Sequence, residues 1–302
     1  MAFLQNCKTF RKLMTNDCIM VPGAFNGMSA RIAAENGFKS LYVSGAAVTA
    51  STGVPDIGLV TLDGFCKVIK EVSMASGLPV IADADTGFGE GEMCARTVWD
   101  YFQAGASGLH IEDQVFPKRC GHLDGKALVP KDDFAKKVQI AVDASKKCSD
   151  GEFVICARTD ARSVEGLDAV IDRSKAYIDA GADMIFPEGL NTAEEFKIVG
   201  QALKGYGPKG GPFLLANMTE FGKTPYIHVN DFKSWGYNIV IYPVSSLRVA
   251  MKAVDDLFKQ LAADGSQEKS VPDMQTRKQL YSTLGYTPGV EWIYPNMTTK
   301  RN

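Results

Sequence analysis

Short apolar runs rich in β-branched residues alternate along the chain with longer stretches in which apolar positions recur every three or four residues. The short runs fall at 18–21, 40–43, 79–82, 108–111, 153–157, 184–186, 213–216 and 239–242. The longer ones fall at 26–36, 62–75, 92–103, 131–147, 166–179, 193–203, 229–235 and 246–263. A run apolar at successive positions reads as a strand buried on both faces, and a three-to-four repeat as a helix with one buried stripe. Their alternation is the pattern of a parallel sheet with crossover helices. Several helical stretches stop at a glycine just before the next strand, at Gly37, Gly105, Gly181 and Gly236. Glycine there supplies the left-handed residue that ends a helix and turns the chain back. Eight such units predict an α/β fold, a (β/α)8 TIM-type barrel spanning residues 1–264. An open doubly wound sheet competes, but no G-x-G-x-x-G follows an early strand. The first twenty residues read as a helix of the mature protein. Residues 265–302 form a C-terminal helical extension, with a helix predicted at 273–284, belonging to the same domain or serving as an oligomer contact.

Composition narrows the partners. The 302 residues are 45% hydrophobic and 23% charged, an ordinary globular balance. Net charge is -2 and no lysine or arginine block occurs, so neither nucleic acid nor a membrane surface is an expected partner. Seven cysteines, odd in number and without a C-x-x-C pair, argue for a reducing compartment and against structural zinc. No apolar run approaches the ~18 residues that span a bilayer. The expected location is cytoplasmic, with mitochondrial import as the alternative.

A barrel of this type carries its chemistry at the C-terminal ends of its strands. Ser44, Gly45, Asp83, Asp85, Glu112, Asp113, Arg158, Asp160, Glu188, Asn217, Thr219, Glu220, Ser245 and Arg248 all follow predicted strands. Asp83 and Asp85, at i and i+2, point to one face of a continuing strand and suit a hard divalent ion such as Mg2+. Alone, a D-x-D is more often a turn; Glu112 and Asp113 on the next rim position favour the metal. Arg158 and Arg248 offer forks that match carboxylates, implying a di- or tricarboxylate ligand, although an internal ion pair of Arg158 with Glu188 or Asp160 is also open. Asn217 and Thr219 add donors, or else simple turn chemistry. His110, inside a strand, reads as a core or rim residue rather than a ligand. The pentapeptide from Lys118 to His122 sets Cys120 among two cations and an imidazole, a setting that lowers a thiol pKa, unless the segment is a solvated basic loop. It lies in a connection, 114–128, longer than the ~2–6 residues usual after a strand, which predicts a lid with Gly121 and Gly125 as hinges.

These segments together, SLYVSG (40–45), DADTGFG (83–89), GLHIEDQ (108–114), KRCGH (118–122), ARTD (157–160), NMTEFG (217–222) and MQTR (274–277), resemble the isocitrate lyase/phosphoenolpyruvate mutase superfamily over essentially the whole chain. The cysteine loop resembles the lyase branch. The resemblance implies a Mg2+-dependent retro-aldol cleavage, with Mn2+ as an alternative ion, of 2-methylisocitrate to pyruvate and succinate in propionate breakdown. It implies that Asp83 and Asp85 hold the metal, with Asp56 and Glu112 beside it. Cys120 becomes the general acid, tuned by Arg119 and His122. Arg158, Glu188, Asn217, Thr219 and Arg248 hold substrate carboxylates, while Tyr42, Ser44, Gly45 and Ala46 line the pyruvate end. It also implies a homotetramer that exchanges C-terminal helices. Related lyases continue Ser-Gly with further glycines, whereas this chain has Ala46-Ala47, whose methyls narrow backbone approach and disfavour positive φ. A 2,3-dimethylmalate-type or other 2-hydroxy-dicarboxylate substrate therefore stays open, and oxaloacetate hydrolysis and a silent dicarboxylate-binding barrel are the separate alternatives.

Overall fold

A computed structural model describes residues 2–119, 121 and 125–292. The strands are β1 (Ile19–Pro22), β2 (Leu41–Val43), β3 (Val80–Asp83), β4 (Gly108–Glu112), β5 (Val154–Thr159), β6 (Met184–Pro187), β7 (Phe213–Asn217) and β8 (Ile239–Tyr242). All pair in parallel in the order β1-β8-β7-β6-β5-β4-β3-β2. The circle is drawn together where Gly23 bridges Tyr42 and the Ala24 amide donates to the Tyr42 carbonyl at 2.9 Å. The predicted barrel elements all form, with ends shifted by one or two residues. The helices between strands are α2 (Gly27–Glu35), α3 (Gly45–Ser51), α4 (Leu62–Ser76), α5 (Glu92–Ala104), α6 (Lys131–Ser149), α7 (Leu167–Asp179), α8 (Ala193–Leu203) and α9 (Val229–Ser234). Helix α4 shows the logic: Leu62, Phe65, Ile69 and Val72 are buried on one stripe. Helix α5 ends at Gly105, whose φ of 101° and position leave no room for a Cβ, which would lie 2.5 Å from Ser73 Oγ.

Alternation along the strands sorts side chains into two layers. Val154 and Cys156 of β5, Met184 and Phe186 of β6, Leu215 of β7 and Ile239 and Ile241 of β8 fill the barrel interior. Phe10 and Met14 of α1 (Ala2–Asn16) join them and close the lower end. The same inward parity continued one step upward carries Arg158, Glu188 and Asn217 to the upper mouth. On β4 it carries His110 and Glu112 inward and sends Asp113 outward. Asp113, grouped with the rim in the sequence reading, instead accepts hydrogen bonds from Tyr177 of α7 and Thr159, both at 2.8 Å. Its place is between sheet and helix, not at the mouth.

Helix α3 is a departure from the sequence reading. Ser44 caps it, accepting from the Ala47 amide at 3.4 Å. Ala46 and Ala47 therefore sit in a right-handed first turn, where alanine is favoured, and neither has positive φ. The expected backbone penalty at these two positions is absent. Only Gly45 is sterically required, because a Cβ there would lie 2.6 Å from Asp83 Oδ2.

Helix α10 (Ser245–Asp264) follows β8 but leaves the barrel; only Leu247 is buried along it, and Val249, Met251 and Phe258 are exposed. A groove of about 700 Å3 runs between its first turn and the Phe25–Ile32 side of α2. Beyond Gly265 come a 3-10 turn (Glu268–Asp273) and α11 (Arg277–Leu284). The tail helix starts four residues later than predicted: Met274 is extended, and Thr276 and Gln279 form a reciprocal cap. It rests on α2, where Thr283 Oγ1 donates to Glu35 at 3.1 Å. Residues 293–302 of the extension lie outside the described residues. No described helix is long and apolar enough to cross a membrane.

Candidate active site

A cavity of about 90 Å3 opens at the C-terminal mouth of the barrel. Tyr42, Ser44 and Ala46 form one wall, and Arg158, Glu188, Asn217 and Thr219 form the facing one. Asp56 and Asp83 sit at the acidic side, and Arg248 is at the rim. Asp85 and Glu112 adjoin this acidic side without lining the cavity. The Gly45 amide donates to Asp83 Oδ2 at 3.1 Å, and the Asp85 amide to Asp83 Oδ1 at 3.0 Å. Asp85 itself adopts a φ of 46°, a left-handed conformation that aspartate tolerates better than most residues.

Asp83, Asp85 and Glu112 differ electrically. Burial alone would raise Asp83, but His110, Lys118 and Arg158 outweigh it and hold that carboxyl below the usual range. Burial, reinforced by the Asp83 charge, pushes Asp85 up to about 6. Burial drives Glu112 well above a normal glutamate despite Arg158. Neither Glu112 oxygen has a hydrogen-bond partner among the described residues. Its compensation is the charge of Arg158, whose Nε lies 3.2 Å from Oε2, and a buried acid so placed has capacity for a further cation.

Such a group of acids fits a hard cation. No three described His, Cys, Asp or Glu side chains converge into a cage. Mg2+ accepts one or two carboxylates completed by water and substrate oxygens, which is what Asp83 and Asp85 offer. His110 lies beneath them, its Nε2 2.8 Å from the Tyr42 hydroxyl and its Nδ1 3.7 Å from Asp83 Oδ1. Burial depresses His110 to about 4 despite the neighbouring Asp83 charge. His110 is the buried core or rim residue expected, and its i−2 spacing from Glu112 on one strand face sets it behind the site.

The opposite wall is built around Arg158. Its Nε lies 2.9 Å from Asp160 Oδ2 and 3.2 Å from Glu112 Oε2, and Nη1 lies 3.6 Å from Glu188. The internal ion pair weighed for Arg158 exists, and Arg158 lines the cavity as well. Asn217 Nδ2 donates to Glu188 at 3.1 Å, while its Oδ1 is buried and has no hydrogen-bond partner among the described residues. Arg248 is half-exposed, 3.6 Å from Glu220 and over the Phe221 ring.

The 114–128 connection closes at its base, where Gln114 bridges Leu128 and the Val115 amide donates to the Ala127 carbonyl at 2.8 Å. Cys120 and His122 lie outside the described residues. Of the two cations beside Cys120, Lys118 is buried and Arg119 exposed. Lys118 Nζ reaches Asp56 at 2.5 Å and Asp85 at 2.8 Å, whereas the Arg119 backbone is tied to the Gln114 side chain. Gly125 has the positive φ expected of a hinge; Gly121 does not, and serves close approach instead. A Cβ on Gly121 would lie 2.4 Å from Glu188 Cγ and 2.6 Å from Arg158 Nη2, so the loop presses directly on the arginine wall. The described cysteines are free, and burial raises Cys7 and Cys18 to about 12 and Cys66 and Cys94 to about 11. Those thiols hold their protons too firmly for acid catalysis near neutral pH.

Comparison with known proteins follows the same lines. Residues 10–262 match the phosphoenolpyruvate phosphomutase family. The chain is 46% identical over 279 residues to a 2-methylisocitrate lyase of Bacillus subtilis, covering 92% of this chain and 88% of that protein. It superposes on a crystal structure of 2,3-dimethylmalate lyase, in its trigonal form, with TM-score 0.85, 37% identity and coverage of 93% of this chain and 91% of that one. Oxaloacetate acetylhydrolase bound to 3,3-difluorooxalacetate gives TM-score 0.86, 36% identity and 93% of each chain. Phosphonopyruvate hydrolase in complex with oxalate and Mg2+ gives TM-score 0.81, 26% identity and coverage of 93% and 95%.

Proposed function

The chain belongs to the phosphoenolpyruvate phosphomutase family, within the isocitrate lyase superfamily, and from that premise we propose that it cleaves 2-methylisocitrate to pyruvate and succinate. One observation supports this most strongly: Arg158 and Asn217 line the same small cavity as Asp83, which Asp85 adjoins. A substrate with a hydroxy-carboxylate at one end and further carboxylates at the other spans such a site.

The bound ion is proposed to be Mg2+, held by Asp83 and Asp85 with Glu112 and Asp56 beside them. When bound, it supplies Lewis acidity to the oxygen of the departing 2-oxo acid. Arg158, steadied by Asp160, and Asn217 and Thr219 orient the succinate carboxylates. Ser44, the Gly45 backbone, Ala46 and Tyr42 shape the pyruvate end. As the C2–C3 bond breaks, the hydroxyl proton passes to a general base or to water, and its carbon becomes the pyruvate carbonyl. The bonding pair stays on the carbon next to a succinate carboxylate, and the Cys120 thiol gives that carbon its proton. Lys118, buried among the acids, carries the loop inward.

The test is a coupled assay for released 2-oxo acid with 2-methylisocitrate, isocitrate and 2,3-dimethylmalate, plus oxalate detection from oxaloacetate. At least tenfold higher kcat/KM for 2-methylisocitrate is expected, since a pocket that accommodates one methyl distinguishes substrates by about ten- to two-hundredfold. Preference for dimethylmalate or oxalate formation selects the related activities. No turnover of any of them leaves a dicarboxylate-binding barrel. We further propose a homotetramer in which α10, bare along its own barrel, packs on a neighbour. Light scattering is expected to return the mass of four chains, and a monomer at micromolar concentration contradicts it.

A further inference from the structure

Above the active site, one lysine ties the 114–128 connection to the Arg158 wall. Lys126 comes from the descending limb of the 114–128 connection, yet its ammonium is buried, 2.9 Å from Asp160 Oδ1. It also donates to the Gly121 carbonyl, the residue next to Cys120. Asp160 is shared: its Oδ2 and Oδ1 accept from Arg158 Nε and Nη2 at 2.9 and 3.2 Å. Behind it, the Asp160 amide is held by Asp113 Oδ1 at 2.9 Å, and Asp113 in turn is braced by Tyr177 and Thr159. A single fixed carboxylate therefore carries both the substrate arginine and the loop.

We propose that Lys126 is a positioning residue that latches the loop onto the Arg158–Glu188 wall by bridging Asp160 to the Gly121 carbonyl. Three observations support it. Gly121 is seated so close to Glu188 and Arg158 that no side chain fits, so the seat has one depth. The partners of Lys126 are Asp160, held in place by Arg158 and Asp113, and the Gly121 carbonyl of the loop itself, so its two bonds join the loop to the wall directly. An ammonium loses its hydration on entering this site, which a carboxylate and a carbonyl in good geometry offset. The barrel does not need the latch, because Asp160 keeps Arg158 and the Asp160 amide stays tied to Asp113.

For turnover, the proposal rests on the lyase reading; for loop closure it does not, and the experiment separates the two. In Lys126→Met, trypsin is expected to cut folded, ligand-free protein after Arg119 about ten- to hundredfold faster than in wild type, the range for one charge-assisted hydrogen bond. Mass spectrometry identifies the fragment ending at Arg119. For 2-methylisocitrate, kcat is expected to fall about a hundredfold, with KM changed less than about fivefold, because the carboxylate wall stays and proton delivery is lost. Lys126→Arg, which keeps the charge, is expected to recover slow nicking and most of kcat. Faster nicking with no turnover in wild type removes the lyase reading and keeps the latch. Wild-type nicking together with kcat within twofold overturns the latch. Failure of Lys126→Met to fold overturns it as well, since the lysine would then be holding up the barrel.

Discussion

Replacing Cys120 by serine is expected to lower kcat for 2-methylisocitrate by about a hundred- to ten-thousandfold, the range a positioned general acid contributes. Substrate affinity is expected to change little, because the Arg158 wall is untouched. Serine has nearly the same size but holds its proton far more tightly than a thiol. Cys120 is set in sequence between the cations Lys118 and Arg119 and the imidazole of His122. Its neighbour Gly121 rests against Glu188 and Arg158, which sets that end of the loop at the cavity wall. Calorimetric titration with succinate alongside steady-state kinetics separates binding from turnover. A serine variant with kcat within tenfold of wild type rules out the thiol as proton donor.

Asp83→Asn is expected to cost about a thousandfold in kcat/KM, corresponding to several kcal/mol of charge stabilisation at about 1.4 kcal/mol per tenfold. The amide can still accept from Gly45, so the fold around α3 is kept while the anionic ligand is lost. The direct readout is Mn2+ binding by electron paramagnetic resonance, which is expected to weaken at least as much. Wild-type protein treated with EDTA is expected to lose turnover and to regain it with Mg2+. Full activity under chelation removes the metal from the account.

The barrel was legible because the two periods along the chain are physically distinct. Period 2 in the strands also foretells which rim residues face inward, and it explains Arg158 and Glu188 as well as the one misplacement. Asp113 follows Glu112 by a single residue, and a single step turns a side chain to the other face. Helix α3 was hidden because Ser-Gly-Ala-Ala reads as a loop, although Ser44 is a recognisable cap. Asp160 and Lys126 are separated by 34 residues and meet only because neighbouring strands bring their loops together. Ion pairs of that kind leave no local pattern. Lys118 was visible as a charge near Cys120, but its inward direction, opposite to that of Arg119, depends on how the loop closes.

The most direct test of the central claim is the reaction run in D2O and followed by proton NMR. Retro-aldol cleavage with proton delivery to the new carbanion predicts equal amounts of pyruvate and succinate, with one deuterium on a single succinate methylene. Succinate without deuterium, or oxalate in place of pyruvate, contradicts the account.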